Sequence, residues 1–371
     1  MRIGVDSRPL REKQTSGIPM YVRTLLKELA QIDLENEYIL YSHKDFAFDL
    51  PSAKWKKRSG AKTRYGSVWM QAELPFWVKE DSIDLFWGTQ HILPLMMPSR
   101  IKAVLTVHDL VHYIFPKTMK PLNLLINKMI IPPSIHRTDA VVAISNWTLS
   151  DVRKYLNPQN KIMEVVHLGV GNPFHPRNAQ ESKEAMKKKF GIPNDFLLTV
   201  GTFEPRKNIA GIINAFSLIA SKIPHDLVVV GQHGWKNRHV VRQIELSDIR
   251  RRIHMVGYLS DEILPVMYSA ADVFVFPSLY EGFGLPPLEA MACAVPVVAS
   301  NVSSIPEIVG KAALLVDPHN PVEIADGILK IINNSSVRFE LIGRGLHQAS
   351  TFTWGGTARR MLEIFNRFRV N

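Results

Sequence analysis

The sequence predicts an α/β protein built from two doubly wound domains, each a parallel sheet covered by helices on both faces. Short apolar segments alternate with helix-like segments along the 371-residue chain, and most apolar segments end in a polar or glycine-containing loop. The alternation stops near residues 169–189 and then starts again, which indicates a domain boundary. With 46% hydrophobic residues, the chain can bury two cores. We expect the carboxyl ends of both sheets to face a deep common cleft, where such folds bind ligands.

The first series of segments predicts one helix and six strands. Apolar residues recur at helical spacing from Tyr21 to Ala30. The charged, apolar-poor stretch from Gln180 to Lys189 is the expected interdomain linker. The predicted strands are Ile3–Val5, Tyr38–Tyr41, Leu85–Trp87, Ala103–Val107, Ala140–Ile144 and Val165–Leu168.

The second series repeats the pattern, with a predicted helix over Ala210–Ala220. The predicted domains are therefore residues 1–175 and residues 190–355. The predicted strands are Phe196–Val200, Leu227–Val230, Ile253–Val256, Asp272–Phe276, Val295–Ala299 and Leu314–Val316.

Composition restricts the compartment in which the protein works. Cys293 is the single cysteine, which excludes a disulfide framework and a cysteine-based zinc site. The first residues predict a strand and lack the pattern of a signal peptide. No apolar run approaches the roughly 18 residues that a membrane-spanning helix needs. We therefore expect a cytoplasmic protein.

The formal net charge of +11 is concentrated in the first half of the chain. Residues 1–190 hold 28 lysines and arginines against 18 acidic residues. The cluster of basic residues that begins at Lys54 is either a solvated loop or a surface for anionic lipid, because basic residues mixed with Trp and Tyr suit a headgroup layer. We expect no nucleic-acid partner, since no recognisable DNA- or RNA-binding motif occurs. The densest cluster runs from Lys54 to Arg58 and continues through Lys62, Arg64, Tyr65 and Trp69.

The most informative segment is 277–292, in which Glu281 and Glu289 stand eight positions apart. A glycine turn and two prolines separate the two carboxylates. A strand that leads into a glycine turn and then a helix presents backbone N–H groups to phosphate. A carboxylate on each side suits a ligand with hydroxyls at both ends, such as a nucleotide-sugar. We expect Glu289 to begin the helix, where the helix dipole offers a purely structural explanation for that residue.

A second candidate element follows the strand that ends at Val200. Arg206 and Lys207 are adjacent, lie after a strand and precede a helix. In that position they can neutralise a diphosphate, because Arg offers a planar fork and Lys a mobile point charge. The alternative is a surface loop whose cations are only solvated.

Two weaker candidates lie in the first domain. Gly17 stands between the first strand and its helix, where glycine lets a ligand approach the backbone. His108 ends a strong apolar strand and is placed to exchange protons with a substrate hydroxyl. Alternatively Asp109 orients His108, or both residues cap the next turn. The chain lacks G-x-G-x-x-G, H-E-x-x-H, Walker and G-x-S-x-G motifs, so the corresponding enzyme classes lose support.

At these residues the chain resembles the retaining GT-B glycosyltransferases of family 4. The stretch from Glu281 to Glu289 is similar to the Glu-x7-Glu element of that family. The resemblance covers nearly the whole chain and implies the GT-B fold. The ending resembles a helix that crosses back to the first domain, so residues 356–371 are expected to pack there. One departure is Thr202, where many members carry an arginine.

The resemblance also implies roles for individual residues. Glu281 would face the hydroxyls of the donor sugar, Glu289 would hold the ribose diol, and His108 would lie near the anomeric centre. Arg206 and Lys207 match the phosphate-binding cations. The remaining residues implied in donor binding are Gly17, Gly201, Gly257, Tyr258, Leu259, Phe283, Gly284 and Leu285.

Together these features predict a retaining, metal-independent hexosyltransferase that uses a nucleotide-sugar, with GDP-mannose as the best candidate. No Asp-x-Asp pair lies at a strand end, and the donor is a substrate, so we expect neither metal nor cofactor. The acceptor would be a saccharide or a lipid-linked saccharide of cell-surface polysaccharide or glycolipid synthesis, with the protein peripheral on the inner face of the cytoplasmic membrane. The alternatives are a GT-B epimerase or phosphorylase, and a non-catalytic membrane- or nucleic-acid-binding protein.

Overall fold

Two entirely parallel sheets, of seven and six strands, organise the computed structural model and confirm the predicted fold class. The structure describes residues 1–12, 17–159, 161–193, 195–232, 242, 244–245 and 247–369. These divide into two compact units, one of residues 1–169 with 353–371 and one of residues 170–352. The sequence predicts domains of residues 1–175 and 190–355, with residues 356–371 packing on the first. The units in the structure instead meet at residues 169 and 170, and the C-terminal segment of the first unit begins at residue 353.

The first unit is built on the seven-stranded sheet, with strand order β3-β2-β1-β4-β5-β6-β7. Because the order reverses between β1 and β4, the carboxyl ends of these two strands flank a topological switch point. The strands are β1 (Arg2–Asp6), β2 (Glu37–Tyr41), β3 (Trp55–Arg58), β4 (Leu85–Gly88), β5 (Lys102–Val107), β6 (Ala140–Ala143) and β7 (Ile162–Val165). The helices are α1 (Ile18–Ile32), α2 (Gly66–Ala72), α3 (Leu74–Glu80), α4 (Val111–Ile114), α5 (Pro121–Arg137) and α6 (Asn146–Leu156), with 3₁₀ turns at Arg8–Arg11 and Pro116–Thr118.

The central strands β4 and β6 are buried along their whole length, as expected for a parallel sheet covered on both faces. Helix α1 covers one face because Val22, Leu25 and Leu29 recur at helical spacing and are fully buried. It begins at Ile18, three residues before the predicted start, since Pro19 suits the first turn of a helix.

The basic cluster at Lys54–Arg58 is an edge strand, β3, and not the loop that its charge favoured. Trp55 stacks on Tyr38 of the neighbouring strand with ring centroids 4.2 Å apart, which places the strand in the sheet. Charged residues are common on edge strands because they discourage further pairing. Arg58 contacts Glu80 and Asp81, so part of the cluster is internally neutralised.

The last strand of the first sheet is Ile162–Val165, so the prediction of Val165–Leu168 was wrong by three residues. The partner strand β6 ends at Ala143, opposite Val165, and no ladder remains for the residues beyond. Val166 and Leu168 are buried loop residues, and their apolar character had been interpreted as a strand.

The second unit is built on the six-stranded sheet, with strand order β10-β9-β8-β11-β12-β13. The strands are β8 (Phe196–Val200), β9 (Asp226–Val230), β10 (Ile253–Gly257), β11 (Val273–Phe276), β12 (Val297–Ser300) and β13 (Ala313–Val316). The described helices are α7 (Ala179–Phe190), α8 (Ile209–Ile219), α9 (Leu264–Ala270), α10 (Leu285–Ala292), α11 (Ile305–Val309), α12 (Pro321–Asn333) and α13 (Ser335–Ser350), with 3₁₀ turns at Pro205–Lys207 and Arg250–Arg252.

This order places the switch point of the second unit between β8 and β11. The loops that follow these two strands are the ones that carry Arg206, Lys207 and Glu281. The topology therefore brings together residues that are about 75 positions apart in the chain.

The expected linker at Gln180–Lys189 is instead helix α7. The Asn178 side chain accepts hydrogen bonds from two backbone N–H groups and caps its start, and Gly191 ends it in the left-handed conformation. Three consecutive lysines in the last turn suit the negative end of the helix dipole. Ser182 and Met186 are buried, so a charged sequence forms a packed helix.

The last helix, α14 (Trp354–Asn366), packs against α1 in the first unit, as the resemblance implied. The Thr357 hydroxyl donates to the carbonyl of His167 at 2.8 Å. Arg360 and Arg367 both bind Glu164 at the end of the first sheet. These contacts join the last segment of the chain to the unit formed by residues 1–169.

Candidate functional site

The candidate site lies at the switch point of the second sheet, where two loops are joined by hydrogen bonds. Leu279 N donates to the carbonyl of Arg206 at 2.7 Å. The side chain of Asn208 donates to the carbonyls of Pro277 and Pro318 and accepts from Gly211 N at the start of α8. Asn208 itself has a φ of 56°, a conformation that Asn tolerates better than most residues. One asparagine therefore fixes both loops and the helix start.

Glu281 stands at the centre of this site and binds both predicted cations. Its Oε1 lies 2.6 Å from Lys207 Nζ, and its Oε2 lies 2.8 Å from Arg206 Nη1. Arg206 also donates through Nε to Glu204, and Lys207 lies over the ring of Phe276. The structure therefore brings Glu281, Arg206 and Lys207 into one cluster, in which the cations contact a carboxylate rather than standing as solvated loop residues.

Three serines that sequence analysis missed hold the Glu281 loop in place. The Ser278 hydroxyl donates to Glu281 Oε1 at 2.6 Å, and Ser304 donates to the carbonyls of Glu281 and Phe283. Ser303 accepts from Glu281 N at 3.1 Å. Ser303 and Ser304 come from the loop after β12, so no local motif marks them; only a predicted strand order would place them here.

The electrostatics of the cluster keep Glu281 ionised although it is buried. Burial alone would raise the pKa of its carboxyl group, but attraction to Lys207 and Arg206 outweighs burial and lowers the pKa to about 2. Burial lowers the pKa of Lys207, and the nearby Glu281 carboxylate opposes this effect. The three groups form a compact charged assembly with one net positive charge beside a strand end.

Glu289 lies in a different environment, inside helix α10. The helix begins at Leu285, before the two prolines, so the expectation that Glu289 starts the helix was wrong. Proline fits the first turn because that turn has no need of its N–H, and Glu289 follows one turn later. The Tyr268 hydroxyl donates to Glu289 Oε2 at 2.9 Å. Burial raises the pKa of Glu289 to about 7. The two glutamates therefore differ in charge state as well as in position.

Glycines end three neighbouring strands of the second sheet. Gly201 follows β8, Gly231 follows β9, and Gly257 is the last residue of β10. Gly231 donates to the carbonyl of Gly257, and Gly201 donates to the carbonyl of Val230. Gly231 was missed in the sequence, although a Cβ there would lie 2.0 Å from the Gly201 carbonyl oxygen. The glycines allow close backbone contact beside Lys207, which packs along Gly201.

Substituting these glycines should separate close packing from conformational strain. We expect Gly231→Ala to lower the free energy of unfolding by about 3 kcal/mol or more, because backbone atoms must move apart in addition to the strain of its φ of +152°. Gly257→Ala is the matched control: its φ is +80°, but a Cβ would meet nothing within 4 Å. Its cost should be about 1–2 kcal/mol from strain alone. Urea unfolding of both variants measures the difference, and equal losses would contradict this account.

The turn between the glutamates brings Phe283, Gly284 and Leu285 to the start of α10. Gly284 has a φ of +107°, and a Cβ there would lie 2.5 Å from Ile305 Cδ1. Glycine is therefore favoured by the backbone conformation, and a larger residue would also displace the end of the Ile305 side chain. The Phe283 ring packs edge-on against Phe352. In the segment after β10, an edge strand of this sheet, Leu259 is buried and Tyr258 is 39% exposed.

Gly17 and His108 belong to the first unit. Gly17 has a φ of 62° and begins helix α1, while Ser16 lies outside the described residues. The Nε2 of His108 lies 2.8 Å from the carbonyl of Thr89 and must donate to it, since a carbonyl only accepts. Burial lowers the pKa of His108, which favours the neutral ring. Asp109 accepts from Val111 N and caps the next turn.

The first unit also contains a polar cavity of about 240 Å³ beside the carboxyl ends of its strands. His112 is buried, and its Nε2 has no hydrogen-bond partner among the described residues. The same holds for Nδ1 of His91. Unpaired buried nitrogens are costly, and both rings belong to residues that line the cavity. The polar residues that line the cavity are Arg8, Gln90, His91, Asp109, His112 and Asn127.

Among the described residues, Asp195, His225 and Asp272 form a cluster that has the donor atoms of a metal site. It lies at the amino ends of β8, β9 and β11, the edge opposite Glu281. Lys183 Nζ lies 2.7 Å from Asp195 and 3.0 Å from Asp272, and Arg338 also binds Asp272. These two side chains supply the positive charge that the carboxylates require, so the cluster joins α7 and α13 to the sheet.

Family models match both halves of the chain. Residues 182–346 match the model described as glycosyl transferases group 1, and residues 15–171 match the model of glycosyltransferase family 4. The chain is 30% identical to the O-antigen chain mannosyltransferase B of Escherichia coli, over 98% of this chain and 99% of that protein. The chain belongs to glycosyltransferase family 4. It is accordingly a hexosyltransferase enzyme, which confirms the predicted class and leaves the epimerase, the phosphorylase and the non-catalytic alternatives without support.

Other relatives of this family 4 glycosyltransferase match it in part or in fold. The serotype-specific mannosyltransferase WbdA of Escherichia coli is 32% identical over 62% of this chain and 29% of its own length. Anabaena HepE, solved with UDP and glucose, has a TM-score of 0.77 at 19% identity over 99% of both chains. WaaG, a glycosyltransferase involved in lipopolysaccharide biosynthesis, has a TM-score of 0.76 at 16% identity, over 98% of this chain and 99% of WaaG. The two structural likenesses show the shared GT-B fold.

Proposed function

We propose that this glycosyltransferase moves mannose from GDP-mannose to a saccharide or lipid-linked saccharide, with retention of configuration and without a metal. The observation that carries the proposal is the cluster of Glu281, Arg206 and Lys207 at the switch point of the second sheet. It offers a fixed carboxylate for sugar hydroxyls next to two cations for a diphosphate. The names of the relatives, mannosyltransferases of O-antigen synthesis, support mannose as the sugar.

The donor would lie along the carboxyl ends of β8 and β11 and the amino end of α10. Glu289 would accept hydrogen bonds from the two ribose hydroxyls, and the backbone near Phe283, Gly284 and Leu285 would approach the phosphates. The segment Gly257, Tyr258 and Leu259 would contact the base. Gly17 is assigned to the diphosphate by the family resemblance alone. These assignments follow the family resemblance, and the observed positions of Glu281 and Glu289 in separate environments support different partners for each.

The reaction breaks the bond between the anomeric carbon and the diphosphate oxygen, and the nucleoside diphosphate leaves with the electron pair. Lys207 and Arg206 would stabilise the charge that develops on the leaving group. Glu281 is a poor nucleophile, because two cations hold its charge and its pKa is about 2. We therefore propose attack of the acceptor hydroxyl on the same face as the departing phosphate. A phosphate oxygen accepts the acceptor proton, and His108 positions a substrate.

The acceptor site in this proposal is the polar cavity of the first unit. Its volume of about 240 Å³ falls below the range for drug-sized ligands and suits a single sugar ring. The cavity supplies carboxylate, amide, imidazole and guanidinium groups, all of which bind hydroxyls.

A donor panel followed by product analysis tests the proposal. Thermal unfolding is measured with the GDP-, UDP-, ADP- and dTDP-linked sugars, because a ligand that binds the native state raises the melting temperature. We expect the largest rise with GDP-mannose. NMR of the glycoside formed with an oligosaccharide acceptor then gives the anomeric configuration. A larger shift with another nucleotide-sugar would replace the donor, and an inverted product would overturn retention.

Chelation tests the absence of a metal requirement. We expect kcat to stay within about twofold after treatment with EDTA and dialysis, because Arg206 and Lys207 already supply the positive charge at the leaving group. Adding Mg²⁺ or Mn²⁺ back should not increase the rate. A loss of activity that a divalent ion restores would contradict the proposal.

A further inference from the structure

Helix α5 of the first unit is more exposed along its first half than along its second half. None of residues 121–130 is buried, whereas Ile131, Ser134 and Ile135 in the second half are. Helix α5 is attached through its second half. Apart from Asn127, which lines the polar cavity, the first half therefore presents side chains that the core of this unit does not use.

The first half of α5 carries an apolar stripe. Leu122, Leu125 and Met129 are 67%, 57% and 66% exposed. Their spacing of three and four residues places them on one face of the helix. Single exposed apolar residues are normal, but an aligned set of three long side chains marks an interaction surface.

The charge around the stripe has a single sign. Residues 110–138 contain no aspartate or glutamate. Lys120 and Lys128 are exposed, and Lys128 immediately precedes Met129 of the stripe. The cations of this stretch are Lys117, Lys120, Lys128 and Arg137. The surface is therefore both apolar and cationic.

We propose that the first half of helix α5, residues 121–130, binds the surface of an anionic lipid bilayer. The stripe of Leu122, Leu125 and Met129 enters the boundary between headgroups and acyl chains, while Lys120 and Lys128 contact the anionic headgroups. This surface is distinct from the basic edge strand β3. There, Arg58 is engaged with Glu80 and Asp81, which lowers the charge available to lipid.

Charge also argues against a second copy of the chain as the occupant. A two-fold contact places the same surface of both copies face to face. The stretch 110–138 has no carboxylate to pair with the partner's lysines, so such a contact would bring like charges together. An anionic bilayer supplies a counter-charge for the lysines and an apolar layer for the stripe.

A fluorescent label on the stripe tests the insertion. Cys293 is the single native cysteine and is buried, so Leu125→Cys gives selective labelling with an environment-sensitive dye. We expect the emission to shift to the blue with vesicles of phosphatidylcholine and phosphatidylglycerol, and not with phosphatidylcholine alone. The same dye on Lys56→Cys in β3 is the control and should keep its aqueous emission. An unchanged signal at position 125, or an equal shift at position 56, overturns the proposal.

Vesicle sedimentation tests the contribution of charge. Lys120→Gln with Lys128→Gln should lower partitioning onto the anionic vesicles by about tenfold or more. Lys54→Gln with Lys56→Gln makes the same charge change on β3 and should alter it by less than about threefold. The melting temperature and nucleotide binding of both double variants should match the unchanged protein, which shows that they fold. Equal losses overturn the assignment to α5.

Light scattering addresses the alternative occupant. The double variant Leu122→Ser, Leu125→Ser should lose vesicle binding without changing its molar mass in solution. If it converts a dimer to a monomer and still binds the vesicles, the stripe is a contact between copies of the chain and the proposal fails.

Discussion

Replacing Glu281 with glutamine should lower kcat by about 10²–10³ while the Kd of free GDP stays within about threefold. Glutamine keeps the shape of the side chain but removes the charge that Lys207 and Arg206 hold at 2.6 and 2.8 Å. The proposed contact of Glu281 is with the transferred sugar, which GDP lacks, so nucleotide binding should be spared. Steady-state kinetics with the intact donor and calorimetry with GDP measure the two quantities separately.

The substitution should also destabilise the protein in the absence of ligand. The part-buried cations Arg206 and Lys207 lose the carboxylate that they share, although Arg206 keeps Glu204. Removing one member of a fully buried ion pair costs about 3–5 kcal/mol, and we expect a loss of about 1–3 kcal/mol for this part-buried cluster. Saturating GDP should raise the stability of both proteins by a similar amount, because its Kd is nearly the same for the two. The matched control is Glu204→Gln, which removes the other, more exposed carboxylate that contacts Arg206. It should lower kcat by less than about tenfold, since Glu204 does not bind Lys207 or the sugar in the proposal.

If Glu281→Gln and Glu204→Gln lose GDP binding to the same degree, the proposed contact of Glu281 with the sugar rather than with the phosphate-binding cations is contradicted. Such a result would show that Glu281 acts by positioning the cations for phosphate. A Glu281→Gln variant with normal kcat would remove Glu281 from the chemistry altogether.

Much of the fold could be predicted because the strands of both sheets are short, buried and apolar. Strands β8 and β11 were located within one residue, since their runs of Phe, Leu and Val occur between polar loops. Strand β3 could not be found in the same way. It contains one buried residue, Trp55, followed by a run of cations, and has no pattern of alternating apolar residues. Its structure is therefore decided by pairing with β2 and not by its own hydrophobicity.

The site could be predicted in its cations and carboxylates but not in its supporting residues. Arg206, Lys207 and Glu281 follow strands that meet at the switch point, and their loop positions made them visible. The side chains of Ser303 and Asn208 act through hydrogen bonds to backbone atoms of other segments. Gly231 acts through its missing Cβ, which would lie 2.0 Å from the Gly201 carbonyl oxygen. Such roles depend on the partner segment, which the sequence alone does not identify. The same applies to the different pKa values of the two glutamates, because burial and neighbouring charges set them.

Glu289→Gln should weaken GDP binding by about 10- to 100-fold at pH 8, because the ionised carboxylate is the stronger acceptor for the ribose hydroxyls. Burial raises the pKa of Glu289 to about 7, so in the unchanged protein the acceptor forms only as the pH rises through 7. Affinity for GDP should therefore increase between pH 6 and pH 8 by up to about tenfold from this group. The glutamine variant should lack this increment, since the ionisation of the nucleotide is common to both proteins.

The same substitution should stabilise the free protein at pH 8, which is the opposite of the Glu281 case. The native state binds the Glu289 proton more tightly than the unfolded state, whose pKa is near 4.5. Stability is therefore lost as the pH rises from about 4.5 to 7, and above 7 the penalty reaches about 3 kcal/mol. Glutamine carries no charge at any pH and avoids this penalty, so its melting temperature should exceed that of the unchanged protein at pH 8 but not at pH 5.

Tyr268→Phe is the control that ties both effects to the same carboxylate. Its hydroxyl donates to Glu289 Oε2 at 2.9 Å and lowers the pKa of Glu289 against the effect of burial. Removing it should move the midpoint of the GDP-affinity profile to higher pH while leaving the limiting affinity at high pH within a few fold. Calorimetry in buffers of different ionisation enthalpy gives a direct check, because GDP binding near pH 6.5 should release protons from the unchanged protein. If Glu289→Gln releases as many protons, another group titrates, and Glu289 is a structural residue of α10.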